Sequence, residues 1–162
     1  MTLVELCCVM PKRRSRESFA QEQYLKDQRE RLALRRESAS LLSDAKWRKI
    51  LKVLATPELG IQQVIVQFYR GLELRLPGPL KAQWFCTPTY ADPGVIAPFP
   101  YRSIQWLEIP YEGYWDSETR RGSWKQDVEG ARLALETAGQ FTFEATERGL
   151  RLLAHVTKRE HV

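Results

Sequence analysis

The sequence has few of the residues on which disulfide frameworks, membrane spans and secretion depend. Its 162 residues include three cysteines, and because this number is odd and Cys7 adjoins Cys8, a disulfide-stapled secreted fold is not expected. No stretch approaches the eighteen or more apolar residues that cross a bilayer. The basic residues at 12–16 follow the short apolar stretch at 1–10, whereas a secretory signal has the opposite order. These absences predict a cytoplasmic protein without a membrane partner.

The side chains that most often carry catalysis are also scarce and scattered. The two histidines are His155, beside Val156 in a predicted strand, and His161 near the C-terminus. Cys86 lacks a nearby basic residue or helix start that would make its thiol reactive. The acidic series Glu108, Glu112, Asp116 and Glu118 matches no known cation-binding loop. The sequence therefore predicts no catalytic residue, no metal, no cofactor and a protein that is not an enzyme.

The C-terminal part of the chain has the pattern of a capped helix followed by a hairpin. Ser123 and Gln126 have the spacing of a capping box, and Gly139 stands where a left-handed residue ends a helix. Between them, apolar residues recur at steps of four and three, namely at Trp124, Val128, Ala131, Leu135 and Ala138. Residues 146–149 predict a turn between two strands that end near residue 156.

The middle of the chain predicts a second helix and several strands. The helix begins at Ser43 or Asp44 and ends before Pro57 and Gly60. Strand patterns cover residues 64–69, 72–76, 83–86 and 104–109, whereas the proline-rich residues 87–101 predict an irregular loop. The order of elements favours one α+β domain at residues 43–162, with an antiparallel or mixed sheet of about five to six strands and two helices packed on one face.

Residues 1–42 differ from this domain in composition. They contain nine basic and six acidic residues, and their apolar positions are too sparse for a coiled coil. One interpretation is a solvated helix or partly disordered extension. The other is an arm that docks on nucleic acid or on a second copy of the chain in a homodimer. The nucleic-acid candidates are Arg13, Arg14, Arg35, Arg36, Lys46, Lys49 and Lys52.

Glu108 is an unusual carboxylate within a strand pattern. A period of two places it on the same side as Ile104 and Trp106. A carboxylate that faces an apolar layer is costly unless it is paired or hydrogen-bonded. Glu108 either reaches water at a sheet edge or pairs with an arginine such as Arg102 or Arg75, where it fixes the core or lines a recognition site.

The segment from Tyr111 to Trp124 is rich in aromatic and basic residues and predicts an exposed loop. Trp, Tyr and Arg are enriched in protein-binding hot spots, although aromatic platforms with basic neighbours also stack nucleic-acid bases. We therefore predict a non-enzymatic protein-binding domain, with nucleic-acid binding as the alternative. The protein-binding candidates are Tyr111, Tyr114, Trp115, Arg120 and Arg121.

Short motifs in residues 43–156 are similar to those of a protein family. They are Lys46-Trp47-Arg48-Lys49-Ile50, Ile104-Gln105-Trp106-Leu107-Glu108-Ile109, Phe141-Thr142-Phe143-Glu144 and Gly149-Leu150-Arg151-Leu152. Because of these motifs and the order in which they occur, this part of the chain resembles a family of small uncharacterised bacterial cytoplasmic proteins. The resemblance implies an immunity or accessory role and brings no active site. The basic extension before Ser40 departs from the family's pattern.

Overall fold

The computed structural model describes residues 21–29, 32, 38–69, 71–94 and 96–157. Residues 21–29 are helical and are called α1. The other helices and the strands are, in chain order, β1 (Ser38–Leu41), α2 (Asp44–Leu54), β2 (Gln63–Phe68), β3 (Glu73–Pro77), β4 (Tyr90–Ala91), β5 (Phe99–Pro100), β6 (Ile104–Pro110), β7 (Glu112–Asp116), β8 (Arg121–Lys125), α3 (Val128–Ala138), β9 (Phe143–Ala145), β10 (Gly149–Leu153) and β11 (His155–Thr157).

A five-stranded antiparallel sheet lies at the centre of the fold. Its strand order is β3-β2-β6-β10-β9, so β6 is the middle strand. Three two-stranded pairs, β1–β11, β4–β5 and β7–β8, accompany it. The predicted α+β class is confirmed, and in the described part of the irregular segment predicted for residues 87–101 the strands are β4 and β5, of two residues each, followed by a 3₁₀ turn at Tyr101–Ser103.

The core forms where α2 and α3 meet the apolar side chains of the sheet. Ser43 caps α2 by accepting a hydrogen bond from the Lys46 N–H. The helical period then places apolar residues on one side of each helix, and these residues join the same buried cluster as Val66 and Leu107. Each large apolar side chain buried here contributes roughly 1.5–3 kcal/mol. The helix residues of this cluster include Trp47, Ile50, Leu51, Leu54, Val128, Ala131 and Leu135.

The predicted start of α3 at Ser123 is wrong. Residues 121–125 form β8, and the helix begins at Val128 with Asp127 as its cap, whose Oδ1 accepts from the Gly130 N–H at 2.9 Å. The side chain of Gln126 accepts from the Gln62 N–H at 2.8 Å and donates to the Pro110 carbonyl at 2.6 Å. These long-range bonds replace the local capping box. Gly139 is also extended rather than left-handed, with φ of 173°.

A β-bulge changes the predicted orientation of β6. Phe68 pairs with Ile104, but Gln67 pairs with Trp106, so Gln105 is an extra residue in the ladder. A bulge shifts the alternation of the side chains that follow it. Ile104 joins the buried apolar cluster beside Phe68, whereas Trp106 and Glu108 do not. The prediction that Ile104 shares a side with Trp106 and Glu108 is therefore wrong.

The described part of residues 1–42 contacts the rest of the fold. In α1, the Tyr24 hydroxyl accepts a hydrogen bond from Arg102 at 2.8 Å, and Asp27 accepts one from the Ser103 hydroxyl at 2.5 Å. Strand β1 pairs with β11.

The described residues do not include the nucleic-acid candidates Arg13, Arg14, Arg35 and Arg36. A separate domain boundary at residue 43 stays a prediction, and within the described ranges no helix combines the length and apolarity needed to cross a bilayer.

The position of the α3 cap can be tested by two alanine substitutions. Asp127→Ala removes the observed cap, and we expect it to lower the free energy of unfolding by about 1 kcal/mol. Ser123→Ala changes an exposed strand residue, and we expect an effect of less than about 0.5 kcal/mol. Urea denaturation followed by circular dichroism measures both values. A larger loss for Ser123→Ala would contradict this assignment of the cap.

Candidate functional site

The candidate protein-binding residues lie on a β-hairpin rather than on the predicted loop. Strands β7 and β8 pair over five residues each. The turn between them is closed by Ser117, whose N–H donates to the Arg120 carbonyl at 2.9 Å and whose hydroxyl accepts from the Arg120 N–H at 3.0 Å. Gly122 follows with a φ of 119°, a conformation that favours glycine. The difference between the predicted loop and the observed hairpin matters because a paired hairpin presents its side chains on two defined faces.

The inner face of this hairpin anchors it to the domain. The ring centroids of Trp115 and Trp124 are 5.9 Å apart, and Trp124 is 9% exposed. A Cβ on Gly113 would lie 2.2 Å from the Trp124 ring, so only glycine lets the strand approach this closely. The Arg120 guanidinium lies 5.2 Å from the Trp115 ring centroid and donates to the Gly78 carbonyl at 2.6 Å. Trp115 and Arg120 therefore have supporting contacts within the fold.

The outer face carries exposed side chains. Tyr114 is 66% exposed and lies opposite Ser123. Two pairs of opposite charge flank it in the strand register, and all four of these side chains are exposed. Tyr111, just before the hairpin, is 46% exposed. We call the outer face, together with the adjoining Tyr111, the hairpin surface. It consists of Tyr111, Glu112, Tyr114, Asp116, Arg121 and Lys125.

Glu108 lies in the middle strand with its side chain completely removed from solvent. Its carboxylate accepts a short hydrogen bond from Arg148 Nε, pairs with Arg151 Nη2 at 3.1 Å, and accepts from the Thr146 hydroxyl at 3.0 Å. Of the two alternatives for Glu108, the structure has the ion-paired one. The partners differ from those proposed, because Arg102 pairs with Asp44 and Arg75 lies beside Glu73.

The arginines around Glu108 have further contacts that complete the cluster. Arg148 Nη1 lies 3.4 Å from Glu73, and the Arg151 guanidinium lies 4.0 Å from the centroid of the Trp106 ring. Burial lowers the pKa of Arg148, but the hydrogen bonds and charges of Glu108 and Glu73 together outweigh it, so the pKa is raised above its ordinary value. Since both Glu108 oxygens accept from donors, this geometry joins β6 to the β9–β10 turn.

The basic candidates that the structure describes lie on one side of α2. Lys46, Lys49 and Lys52 are all exposed. Lys49 and Lys52 line a depression of about 360 Å³ together with Arg48 and Thr56. Arg48 is already used in the fold, since it donates to the carbonyls of Phe85 and Cys86 at 2.7 Å each. The lysines are free to meet an anionic surface.

The structure describes the remaining candidate reactive groups only in part. Cys86 is exposed. The backbone of His155 pairs with Leu41 in the β1–β11 ladder, and the side chain of His155 lies outside what the structure describes. Among the described residues, no group of three His, Cys, Asp or Glu side chains could hold a metal ion.

A cavity of about 650 Å³ was not anticipated from the sequence. It lies between α1, the end of β2, the start of β3 and residues 90–100. Its walls come from segments far apart in the chain, so no local pattern identifies it. In the structure, Leu72 marks it, because this large apolar side chain remains 61% exposed at the cavity. We call it the apolar cavity, and its apolar walls are Phe68, Leu72, Leu74, Tyr90, Ile96 and Phe99.

Comparisons with protein-family models, with curated proteins and with solved structures gave no match to this chain. The resemblance to small bacterial proteins therefore stays a hypothesis that rests on the motifs in residues 43–156.

The structural importance of Glu108 can be measured against a more exposed carboxylate. Glu108→Gln leaves two arginines without their buried counter-charge, and we expect it to lower the free energy of unfolding by about 2–4 kcal/mol. Glu73→Gln, at a side chain that is 35% exposed, should lower it by less than about 1 kcal/mol. Urea denaturation of both variants gives the comparison. Equal losses would show that the buried cluster does not stabilise the fold as described.

Proposed function

We propose that this chain is a protein-binding domain without catalytic activity, and that the hairpin surface is its contact site. The observation that carries the proposal is the division of the hairpin into two faces. Trp115 and Trp124 pack together on the inner face with their rings tilted by 39°, while Tyr114 projects from the outer face with two-thirds of its surface in solvent. An anchored strand pair that presents an exposed tyrosine is suited to binding another protein.

Rigidity supports this assignment because ordering a flexible loop reduces binding affinity. Both ends of the hairpin are held by contacts to the domain. At the base, Tyr111 N–H donates to the Arg148 carbonyl at 3.0 Å, and Gln126 N–H donates to the Tyr111 carbonyl at 3.1 Å. At the turn, Arg120 reaches the Gly78 carbonyl. A partner would therefore meet a surface that is already formed.

The charges of the hairpin surface favour a partner of mixed charge. Glu112 faces Lys125 across the strands, and Asp116 faces Arg121. Each cross-strand pair has no net charge, so the surface would select a partner by the placement of its charges rather than by their sum. Tyr111 and Tyr114 would supply the apolar contact area between them.

The cellular location, role and oligomeric state that we propose rest on the sequence analysis. We place the protein in the bacterial cytoplasm, in an immunity or accessory role, with the N-terminal arm as a further contact between two copies in a homodimer. We also assign α2 and α3 to the same face of the sheet, because both bury side chains in one apolar cluster with Val66 and Leu107.

Position-specific photocrosslinking tests the contact site in the full chain. We expect a photoreactive phenylalanine at Tyr114 to capture one partner, because this side chain would lie at the centre of the contact. The control is the same residue at Leu133, an α3 side chain that is 53% exposed and lies outside the hairpin surface. Equal capture at both positions would contradict the proposal.

The affinity of the captured partner gives a second, quantitative readout. We expect Tyr114→Ala with Arg121→Ala to weaken binding by about 100-fold, as for two central hot-spot residues. Leu133→Ala is the matched control and should leave the affinity unchanged. Trp115 is unsuited to this test because its loss would disturb the inner face. Unchanged affinity in the double variant, with the fold intact, would remove the hairpin surface as the contact.

Nucleic-acid binding is the second candidate, and the exposed lysines of α2 favour it. Lys46, Lys49 and Lys52 lie on one helix, next to the depression that Arg48 and Thr56 help to line. A phosphate backbone bound there would release counterions, so affinity would fall steeply as salt rises. This candidate differs from the first because it places the contact on α2 and not on the hairpin.

A further inference from the structure

The apolar cavity has the size of a small-molecule site. Its volume of about 650 Å³ falls within the roughly 300–1,000 Å³ typical of such sites. Phe68 and Phe99 form its inner wall, with ring centroids 5.4 Å apart and side chains that are 8% and 6% exposed. Leu72 and Tyr90 lie nearer to solvent and are 61% and 39% exposed. An apolar occupant would cover these two side chains and remove them from water.

The enclosure of the cavity favours a small molecule over a protein partner. Four separate segments line it, namely α1, the end of β2, the start of β3 and residues 90–100. They surround a bounded volume, whereas a protein contact of standard size needs roughly 800 Å² of surface on each partner. The occupant is therefore a molecule small enough to enter between these segments.

One wall of the cavity offers apolar contact rather than polar recognition. This wall is the segment from residue 96 to residue 100, and each of its side chains is apolar. Pro98 and Pro100 lack a backbone N–H, so neither can donate a hydrogen bond to a polar ligand. The residues that this segment contributes to the lining are Ile96, Ala97, Pro98, Phe99 and Pro100.

The polar groups of the lining favour an occupant without charge. Asp27 is 2% exposed and accepts a hydrogen bond from the Ser103 hydroxyl at 2.5 Å, so its carboxylate is held within the fold. Asp92 is exposed, and its Oδ1 accepts from the Gly94 N–H at 3.3 Å. Among the described residues that line the cavity, none is Lys, Arg or His. Since a charge enclosed without a partner is costly, an uncharged molecule fits this lining best.

We propose that the apolar cavity binds an uncharged small molecule with a predominantly apolar body. The body packs against Phe68, Leu74 and Phe99, and Leu72 and Tyr90 cover it on the solvent side. The site adjoins the start of β6, whereas the hairpin surface follows its end. It is thus a second binding site that is independent of the proposed protein contact.

Displacement of a neutral dye from the full chain tests the class of the occupant. N-phenyl-1-naphthylamine should bind saturably, with one molecule per chain, and its fluorescence should rise. At neutral pH, 1-decanol should displace it at a concentration about tenfold lower than decanoate or decylamine does, because only the alcohol has no charge to remove from water. The three competitors carry the same alkyl chain, so the ratios report the head group.

Two pairs of variants connect the dye to the cavity. Leu72→Ala removes part of the lining and should weaken dye binding by about threefold or more, whereas Leu133→Ala, at an exposed leucine of α3, should leave it unchanged. Ala97→Trp adds bulk at an exposed residue of the lining and should weaken dye binding by at least about tenfold. Leu133→Trp places the same side chain on α3 and should have no effect. Circular dichroism confirms that each variant is folded.

Several outcomes would overturn the proposal. Non-saturable dye binding would exclude a defined site, and displacement by decanoate or decylamine as readily as by 1-decanol would exclude an uncharged occupant. Normal dye binding by folded Leu72→Ala and Ala97→Trp would place the dye elsewhere. Dye binding that increases about tenfold in the full chain with Leu3→Glu and Val9→Glu would assign the cavity to the chain's own N-terminal residues. Dye binding that is lost as the protein dimerises would assign it to a second copy.

Discussion

The fold depends on a carboxylate that is held out of water in the middle of the sheet. A buried charge is costly unless donors surround it, and Glu108 meets this requirement through Arg148, Arg151 and Thr146. Arg151 belongs to β10, while Thr146 and Arg148 lie in the turn between β9 and β10. The ionic cluster therefore fixes that turn against β6, on the side of the strand that the apolar core does not use.

The same turn also connects the sheet to the hairpin. The Arg148 carbonyl accepts the Tyr111 N–H at 3.0 Å, so the residue that pairs with Glu108 also holds the point where β6 passes into β7. Gln126 completes the junction by bonding to both the Pro110 carbonyl and the backbone at Gln62. The orientation of the hairpin thus follows from polar contacts, whereas the helices are held by apolar burial.

Local patterns predicted the elements whose determinants lie within a few residues. The Ser43 cap and the apolar face of α2 specify that helix without help from other segments. The turn at 146–149 is also local, since Thr146 N–H donates to the Gly149 carbonyl. The place of Glu108 in a strand made pairing with hydrogen-bond donors one of two expectations, although it did not identify Arg148 and Arg151 as the partners.

The errors arose where tertiary contacts overrule a local signal. Gln126 has the spacing of a capping-box residue, but its amide forms bonds to residues more than sixty positions away in the chain. The bulge at Gln105 depends on pairing with β2 and changes the side on which Ile104 lies. The sequence predicted a loop at the hairpin because glycines such as Gly113 and Gly122 are common in turns. In the structure, Gly113 instead makes room for a tryptophan ring. The apolar cavity needs three separate segments, so sequence periodicity could not reveal it.

Strand β6 sets the distance between the apolar cavity and the hairpin surface. Its seven residues, Ile104–Pro110, extend over roughly 23 Å at the usual rise of a β-strand. The apolar cavity adjoins one end of the strand, at Ser103, and the hairpin surface follows the other end, at Tyr111. Because this span exceeds the reach of any side chain, the apolar cavity and the hairpin surface are separate places on the fold, and a substitution in one leaves the side chains of the other untouched.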